Sequence, residues 1–234
     1  MRGCLGVLVL AAVLVVAGAW FGGPTLASVL VESALDVSGL EGRNRSVVVD
    51  SDPPIEILGG RADKVVIGAD DVVLEGLDAD RLDITLFDVD LIGRTFGSIE
   101  GRLEGVVLSA GDRSATEAEL VELLGSADDT LATVRIAGSV VDRLAREALE
   151  RDTGLAVNGM FLEAPNTIVF TSGPTRVTGL LTVDAGALSA RLEAPGEPLI
   201  TLLDPGNPFT LTAVSVDDAD LTLIGRIDIA GLLR

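Results

Sequence analysis

Short runs in which aliphatic and polar residues alternate restrict the fold of this chain more than any other feature of its sequence. Leu82, Ile84 and Leu86 alternate with polar residues, and residues 99–105 repeat the pattern. Successive side chains of a β-strand point to opposite faces, so a period of two indicates a strand with one buried face. Similar runs, separated by turns rich in Asp, Gly and Pro, recur from Ser46 onward. The chain is therefore predicted to consist largely of antiparallel strands.

The predicted strands divide into two groups, one on each side of a central region. They are 47–49, 64–69, 72–74, 82–91, 99–105 and 131–137, followed by 155–162, 167–171, 176–184, 188–192, 209–217 and 221–229. The alternation changes phase between Leu86 and Phe87, which predicts a β-bulge. Gly101 and Gly105 both fall on the inward side of their strand, which predicts curvature there or the close approach of another segment.

Three short helices are also predicted. The first starts at Pro24 and ends near Gly39. In the second, Thr116-Glu117-Ala118-Glu119 forms a capping box before an apolar run that ends at Gly125. The third begins at Ser139 and ends near Gly154. The predicted fold is α+β, a large curved antiparallel sheet with short helices packed on one side, following an N-terminal hydrophobic helix.

The N-terminal residues have the pattern of an export segment. Gly3 to Phe21 are free of charge and follow Arg2, and Ala17-Gly18-Ala19 matches an A-x-A cleavage signature. Trp20 and Phe21 fit the alternative of a retained membrane helix that ends in an aromatic belt. We therefore expect residues 1–23 to be a signal peptide or an N-terminal membrane anchor, and 24–234 to be a single β-rich domain outside the cytoplasm. The domain would be soluble if the chain is cleaved after Ala19 and membrane-anchored otherwise.

Composition excludes several classes of partner. The net charge is −19, which opposes binding to nucleic acid and electrostatic docking on anionic lipid. Hydrophobic residues form 48% of the chain but aromatic residues only 3%. Aliphatic side chains must therefore form most of the interior.

The residues needed for enzyme chemistry are largely missing. The chain has no histidine, its one cysteine is Cys4 in the leader, and Lys64 is its one lysine. Histidine-dependent triads, thiolate nucleophiles and His or Cys metal sites are thus impossible in the body. Clusters such as Asp217-Asp218-Ala219-Asp220 lie at predicted turns, where solvated aspartate is common. We expect no catalytic residues, no metal and no cofactor.

Seven apolar residues are candidates for the lining of an apolar groove, although ordinary core packing is the better explanation of each one taken singly. They are Phe87, Leu120, Leu123, Leu124, Phe161, Phe170 and Phe209.

A longer pattern resembles a known family. The stretch Gly60-Arg61-Ala62-Asp63-Lys64-Val65-Val66-Ile67 is followed by DDVVLEGLDADRLDITLFDVDL. Together with the segments 115–125 and 210–228, it resembles the LmeA-like family of bacterial cell-envelope proteins. The resemblance covers most of residues 24–232 and consists of spaced apolar, Gly and Asp positions. It implies a TULIP-type body, a curved sheet around a helix, that binds phospholipids such as phosphatidylinositol in the envelope of high-GC Gram-positive bacteria.

Three functions follow as hypotheses, in decreasing order of support. The first is non-enzymatic binding, with or without transfer, of a phospholipid or related envelope lipid in an apolar groove, with Arg61, Arg81 and Arg94 as candidate head-group contacts. The second is a structural or adaptor domain of the envelope that binds a protein, for example by adding a strand at a sheet edge. A hydrolase ranks last because no nucleophile and base can be paired.

Overall fold

The computed structural model describes residues 41–74, 77–93, 95–108, 116–154, 157–193, 198–203 and 209–227. These contain thirteen strands, one α-helix and the 3-10 helix Pro54–Gly59. The strands are β1 (Glu41–Asp50), β2 (Arg61–Leu74), β3 (Leu77–Asp90), β4 (Ser98–Leu108), β5 (Thr116–Ser126), β6 (Asp129–Ile136), β7 (Gly159–Glu163), β8 (Thr167–Ser172), β9 (Thr175–Asp184), β10 (Ala187–Leu192), β11 (Leu199–Leu203), β12 (Phe209–Asp217) and β13 (Asp220–Ile227). The α-helix α1 spans Gly138–Thr153.

The strands form two antiparallel sheets. The large sheet has the order β1-β2-β3-β4-β5-β6-β13-β12, and the small sheet has the order β11-β10-β9-β8-β7. Most neighbours in space are neighbours in sequence, as short turns dictate. The exception is the pairing of β6 with β13, between which the chain makes α1 and the whole small sheet.

One hydrophobic core joins the two sheets and α1. Phe170 and Leu181 of the small sheet, Leu223 of the large sheet, and Ala145 and Leu149 of α1 are buried and belong to it. We call the side of the large sheet that contributes to this core the inner face, and the opposite side the outer face. The small sheet also meets the edge strand β12 directly. The backbone N–H groups of Leu211 and Val216 donate to the carbonyls of Gly186 and Pro165, at 3.3 and 2.6 Å.

The strands of the large sheet exchange their faces along a transverse line. In β2 the buried positions Ala69 and Val72 are three residues apart, and Asp71 between them has a φ of 47°. The register places Asp80 of β3 opposite Asp71. On the other side of Asp80 lies Gly105 of β4, whose φ is 60°. A positive φ rotates the backbone at that residue. The even-numbered side chains beyond it therefore take the face that the odd-numbered ones had before it, or the reverse.

The predicted β-bulge between Leu86 and Phe87 is wrong, although the strand does change face nearby. The β2–β3 and β3–β4 ladders continue without a register shift through Leu86 and Phe87, so no residue is inserted there. The change of phase occurs instead at Asp88, whose φ is 52°, and Val89 beyond it is buried. The predicted inward position of Gly105 is wrong, because Val106 is the buried residue there and a Cβ at Gly105 would overlap the carboxylate of the exposed Asp80 in the neighbouring strand.

The predicted helix from Thr116 to Gly125 is wrong, because this segment is strand β5. Its backbone pairs with β4 on one side and with β6 on the other. The ladder to β4 runs from Thr116 to Ser126 and the ladder to β6 from Leu120 to Ser126, whereas a helix of this length would gain little from its capping box alone. The fold is accordingly sheet-rich, with one α-helix in the described part of the chain, rather than a clear α+β arrangement.

The other helix predictions have different outcomes. The helix predicted from Ser139 to near Gly154 is confirmed as α1, which ends where Gly154 adopts a φ of 70° and its N–H donates to the Glu150 carbonyl. Ser139 is not its N-cap, since Ala137 holds that position and the Asp220 carboxylate accepts from the Gly138 N–H at 3.3 Å. The leader and the helix predicted at Pro24 lie outside the described residues.

Candidate functional site

A group of partly exposed aliphatic side chains occupies the middle of the inner face of the large sheet. Each of them packs against the core but is only half-buried. We call this group the inner strip, and its members are Ile84, Leu86, Val121, Leu123 and Val134. All five come from β3, β5 and β6, on the same side as the fully buried Leu82 and Leu103.

Pairing across the strands places these side chains next to one another. Ile84 lies opposite Gly101, and Gly101 lies opposite Leu123. A Cβ added to Gly101 would lie 3.3 Å from the Leu123 Cβ and 3.5 Å from the Ile84 Cγ1. The row continues through Ala132 and Gly225, both small and buried. Large aliphatic residues on β3 and β5 therefore border positions where side-chain bulk is missing.

The inner strip is uncharged and contains no aromatic ring. Charged residues of β4 and β5 lie on the outer face, where Arg102 pairs with Glu104 and with Glu122 at 2.9 and 3.7 Å. Among the described residues, every buried side-chain nitrogen or oxygen has a hydrogen-bond partner. The inner strip therefore offers a ligand only aliphatic contact, which suits hydrocarbon and gives no reacting group.

The three candidate leucines do not form one cluster. The sequence analysis placed them on a helix, but β5 sends them to two sides of the sheet. Leu123 belongs to the inner strip, while Leu120 and Leu124 are on the outer face. Leu124 is 59% exposed and lies opposite the exposed Leu131.

The phenylalanines are also separated. Phe170 is a fully buried member of the core. Phe161 is 41% exposed on the small sheet, with the Arg176 guanidinium 5.2 Å from its ring centroid. Phe87 is half-buried on the outer face, in the same row as Lys64 and Ser98. Phe209 begins β12, and its side chain is outside the described part of the structure.

None of the candidate arginines that the structure describes reaches the inner strip. Arg61 is exposed at the start of β2, opposite Asp90. Arg81 is on the outer face, where its Nε donates to Asp83 at 2.7 Å. That hydrogen bond and the charge of Asp83 raise the pKa of Arg81 above its usual value. Arg94 lies outside the described residues.

Sequence reasoning missed four of the five residues of the inner strip. The alternation of residues 82–86 placed Ile84 and Leu86 on one face, and that signal was available. Val121 and Val134 gave no comparable signal, because their position depends on which strands pair with β4 and β5.

The described ranges contain neither a membrane-spanning helix nor a cluster of metal ligands. No helix there is long and apolar enough to cross a membrane. No group of three or more Asp, Glu, His or Cys side chains in those ranges is placed to hold a metal ion.

Comparison with known proteins gives one match. A family model described as LmeA-like phospholipid-binding matches residues 16–226, which is most of the chain. No curated protein and no solved structure matches the chain. The matched range includes every strand of both sheets apart from Ile227 at the end of β13.

Proposed function

The chain belongs to the LmeA-like phospholipid-binding family, and on that premise we propose that its inner strip binds the acyl chains of a phospholipid or a related envelope lipid. The binding is non-enzymatic, because the matching family is one of lipid-binding proteins and the inner strip contains no group that could react. The observation on which the proposal depends is the row Ile84–Gly101–Leu123, where two half-buried aliphatic side chains border a position without a side chain.

The chemistry of the inner strip supports hydrocarbon as its ligand. A residue that is only half-buried in an otherwise closed core leaves apolar surface for a further apolar group. Each methylene removed from water contributes about 0.8 kcal/mol. Ten buried methylenes therefore supply about 8 kcal/mol, which is on the order of the binding free energy of a micromolar complex.

The location and the biological use of the bound lipid are further parts of the proposal. The charge-free segment Gly3–Phe21 supports export. We propose that the domain works in the cell envelope, outside the cytoplasmic membrane, and that it transfers lipid as well as binding it. Phospholipid is then the partner, and the N-terminal segment would add a membrane contact if it is retained.

Two adjacent residues provide the sharpest test of this proposal. Leu123 is on the inner strip and Leu124 is 59% exposed on the outer face. We expect Leu123→Asp to lose most of the phospholipid that copurifies with the full chain, measured by native and lipid-extract mass spectrometry. Leu124→Asp introduces the same charge at the next residue and should retain the lipid. Wild-type protein free of lipid, and unable to take it up from added phospholipid, would contradict the proposal.

One observation favours the second hypothesis, an adaptor domain that binds a protein. The edge strand β1 pairs with β2 on one side and with no other strand of the described chain, and its Val48 is 57% exposed. An open edge of this kind can accept a strand from a partner. Val48→Pro would block such pairing by interrupting the strand edge. Loss of a copurifying protein in this variant, with lipid absent from wild type, would favour the adaptor.

A further inference from the structure

The tight turn after β3 exposes an aliphatic side chain to an unusual degree. Ile92 is 77% exposed, the highest value among the large hydrophobic residues that the structure describes. Its neighbours Leu91 and Phe96 are half-buried, as is Ile57 of the 3-10 helix. We call Ile57, Leu91, Ile92 and Phe96 the turn-end patch.

Several hydrogen bonds hold this turn in place. The Asp90 Oδ1 accepts from the backbone N–H groups of Ile92 and Gly93, at 3.0 and 2.7 Å. Asp90 and Thr95 exchange backbone hydrogen bonds, and the Leu91 N–H donates to the Gly60 carbonyl at 2.7 Å. Gly60 lies under Ile92, because a Cβ there would be 2.5 Å from the Ile92 Cγ1 and Cδ1. The isoleucine is therefore presented on a well-bonded turn.

Apart from Ile57, the turn-end patch follows the β3 part of the inner strip along the chain, beyond the end of that strand. Leu86 of the inner strip and Val89 both belong to β3, and Leu91 is the first residue after this strand. Leu91, Phe96 and Ile57 pack against the same core as the inner strip. An acyl chain that enters the inner strip from this end of the sheet would pass the turn-end patch first.

From these observations we propose that the turn-end patch docks on a lipid surface by inserting Ile92 among the lipids. This inference rests on the proposed function. The size of the patch favours a lipid surface over a protein, because specific protein interfaces bury about 800 Å² on each partner and here one of four side chains is well exposed. A bilayer needs no matching shape, and binding to it scales with the apolar area that enters its interface.

Local charge agrees with a docking that depends on apolar contact. The chain has a net charge of −19, which opposes attraction to anionic lipid. Arg61, next to Gly60, is exposed beside the turn. We therefore expect docking on zwitterionic phosphatidylcholine vesicles and little gain from added anionic lipid.

Fluorescence at position 92 tests the inference in the full chain. Cys4 is the one native cysteine, so Cys4→Ser with Ile92→Cys gives a single site for an environment-sensitive dye. The matched control is Val73→Cys in the same background, an exposed aliphatic residue of β2 that is 49% exposed. Val73 is about 40 Å from Arg61 along the strand, at roughly 3.3 Å per residue.

We expect the dye at position 92 to brighten severalfold and shift to the blue on addition of phosphatidylcholine vesicles, and lipids with a quencher on the acyl chain to reduce its emission. The dye at position 73 should do neither. Equal responses at both positions, or no response at 92 in a protein that carries lipid, would overturn the inference. Insertion of position 92 by a chain that never takes up lipid would support the inference and contradict the proposed function, so the two failures are distinct.

Discussion

Ile84 and Leu123 lie on either side of Gly101 on the inner face of the large sheet, and neither is fully buried. The strand between them carries no side chain at this position, and a Cβ placed there would lie 3.3 Å from the Cβ and Cδ1 of Leu123. Glycine within a strand is destabilising by roughly 0.5–1 kcal/mol relative to alanine, and the close approach of Leu123 accounts for the small residue here. The conformation of Gly101 is not the reason for a glycine here, since its φ is not positive.

A branched side chain at position 101 should exclude lipid without unfolding the protein. Gly101→Val places a branched side chain between Ile84 and Leu123, and we expect copurified lipid to fall severalfold. The free energy of unfolding should fall by about 1–3 kcal/mol, because the added methyl groups must displace Leu123 and Ile84, and the gain in strand propensity offsets only part of that cost. Lipid mass spectrometry and urea denaturation measure the two effects.

The matched control for this change is Gly68→Val. Gly68 is a strand glycine on the outer face, where a Cβ would meet the Ser46 Oγ at 3.0 Å. We expect this variant to keep its lipid. Undiminished lipid in Gly101→Val would show that the inner strip is not the binding surface.

The line of face changes should depend strongly on Gly105. Gly105→Ala adds a Cβ at a φ of 60° and against the Asp80 carboxylate. We expect a loss of about 2 kcal/mol or more in the free energy of unfolding, since a side chain at positive φ alone costs roughly 1–2 kcal/mol. Chemical denaturation measures this.

The contribution of the Asp80 side chain to that loss can be separated. Asp80→Ala in the Gly105→Ala background removes most of the atoms that the new Cβ would meet. A double-mutant cycle should therefore recover part of the loss as a coupling energy. Strict additivity of the two single changes would contradict a direct contact.

Two phenylalanines that the sequence does not distinguish should differ widely in their effect on stability. Phe170 is 2% exposed in the core, so Phe170→Ala should cost about 3–5 kcal/mol. Phe161 is 41% exposed and its ring contacts Arg176, an exposed pairing that contributes about 0.5–1 kcal/mol. Phe161→Ala should therefore change the free energy of unfolding by about 1 kcal/mol or less. Similar thermal or urea midpoints for the two variants would be inconsistent with the structure.

The ion pairs of the outer face should contribute little to stability. Arg102 contacts Glu104 and Glu122, and the three side chains are each about half exposed. Arg102→Gln is expected to lower the free energy of unfolding by about 0.2–1 kcal/mol, with a smaller effect at high salt because exposed pairs are screened. A loss that exceeds this range and persists in molar salt would indicate a buried role for the arginine.

The sequence alone determined the strand-rich class, the position of α1 and the absence of histidine and cysteine chemistry from the body. These depend on local patterns, the period of two in residues 82–86 and the helical spacing that ends at Gly154. The segment 116–125 shows the limit of such patterns. Its capping box and its run of leucines suit a helix, but pairing with β4 and β6 on both edges makes it a strand.

Tertiary structure alone decided which apolar residues could meet a ligand. Leu123 and Leu124 are equivalent by composition, and only the register with β4 and β6 sends one to the inner strip and the other to the outer face. Positive φ at Asp71, Asp88 and Gly105 exchanges the faces within strands, so alternation could not be extended along a whole strand. The physical reason is that a strand's sidedness follows from its hydrogen-bonded partners, which lie far away in the sequence.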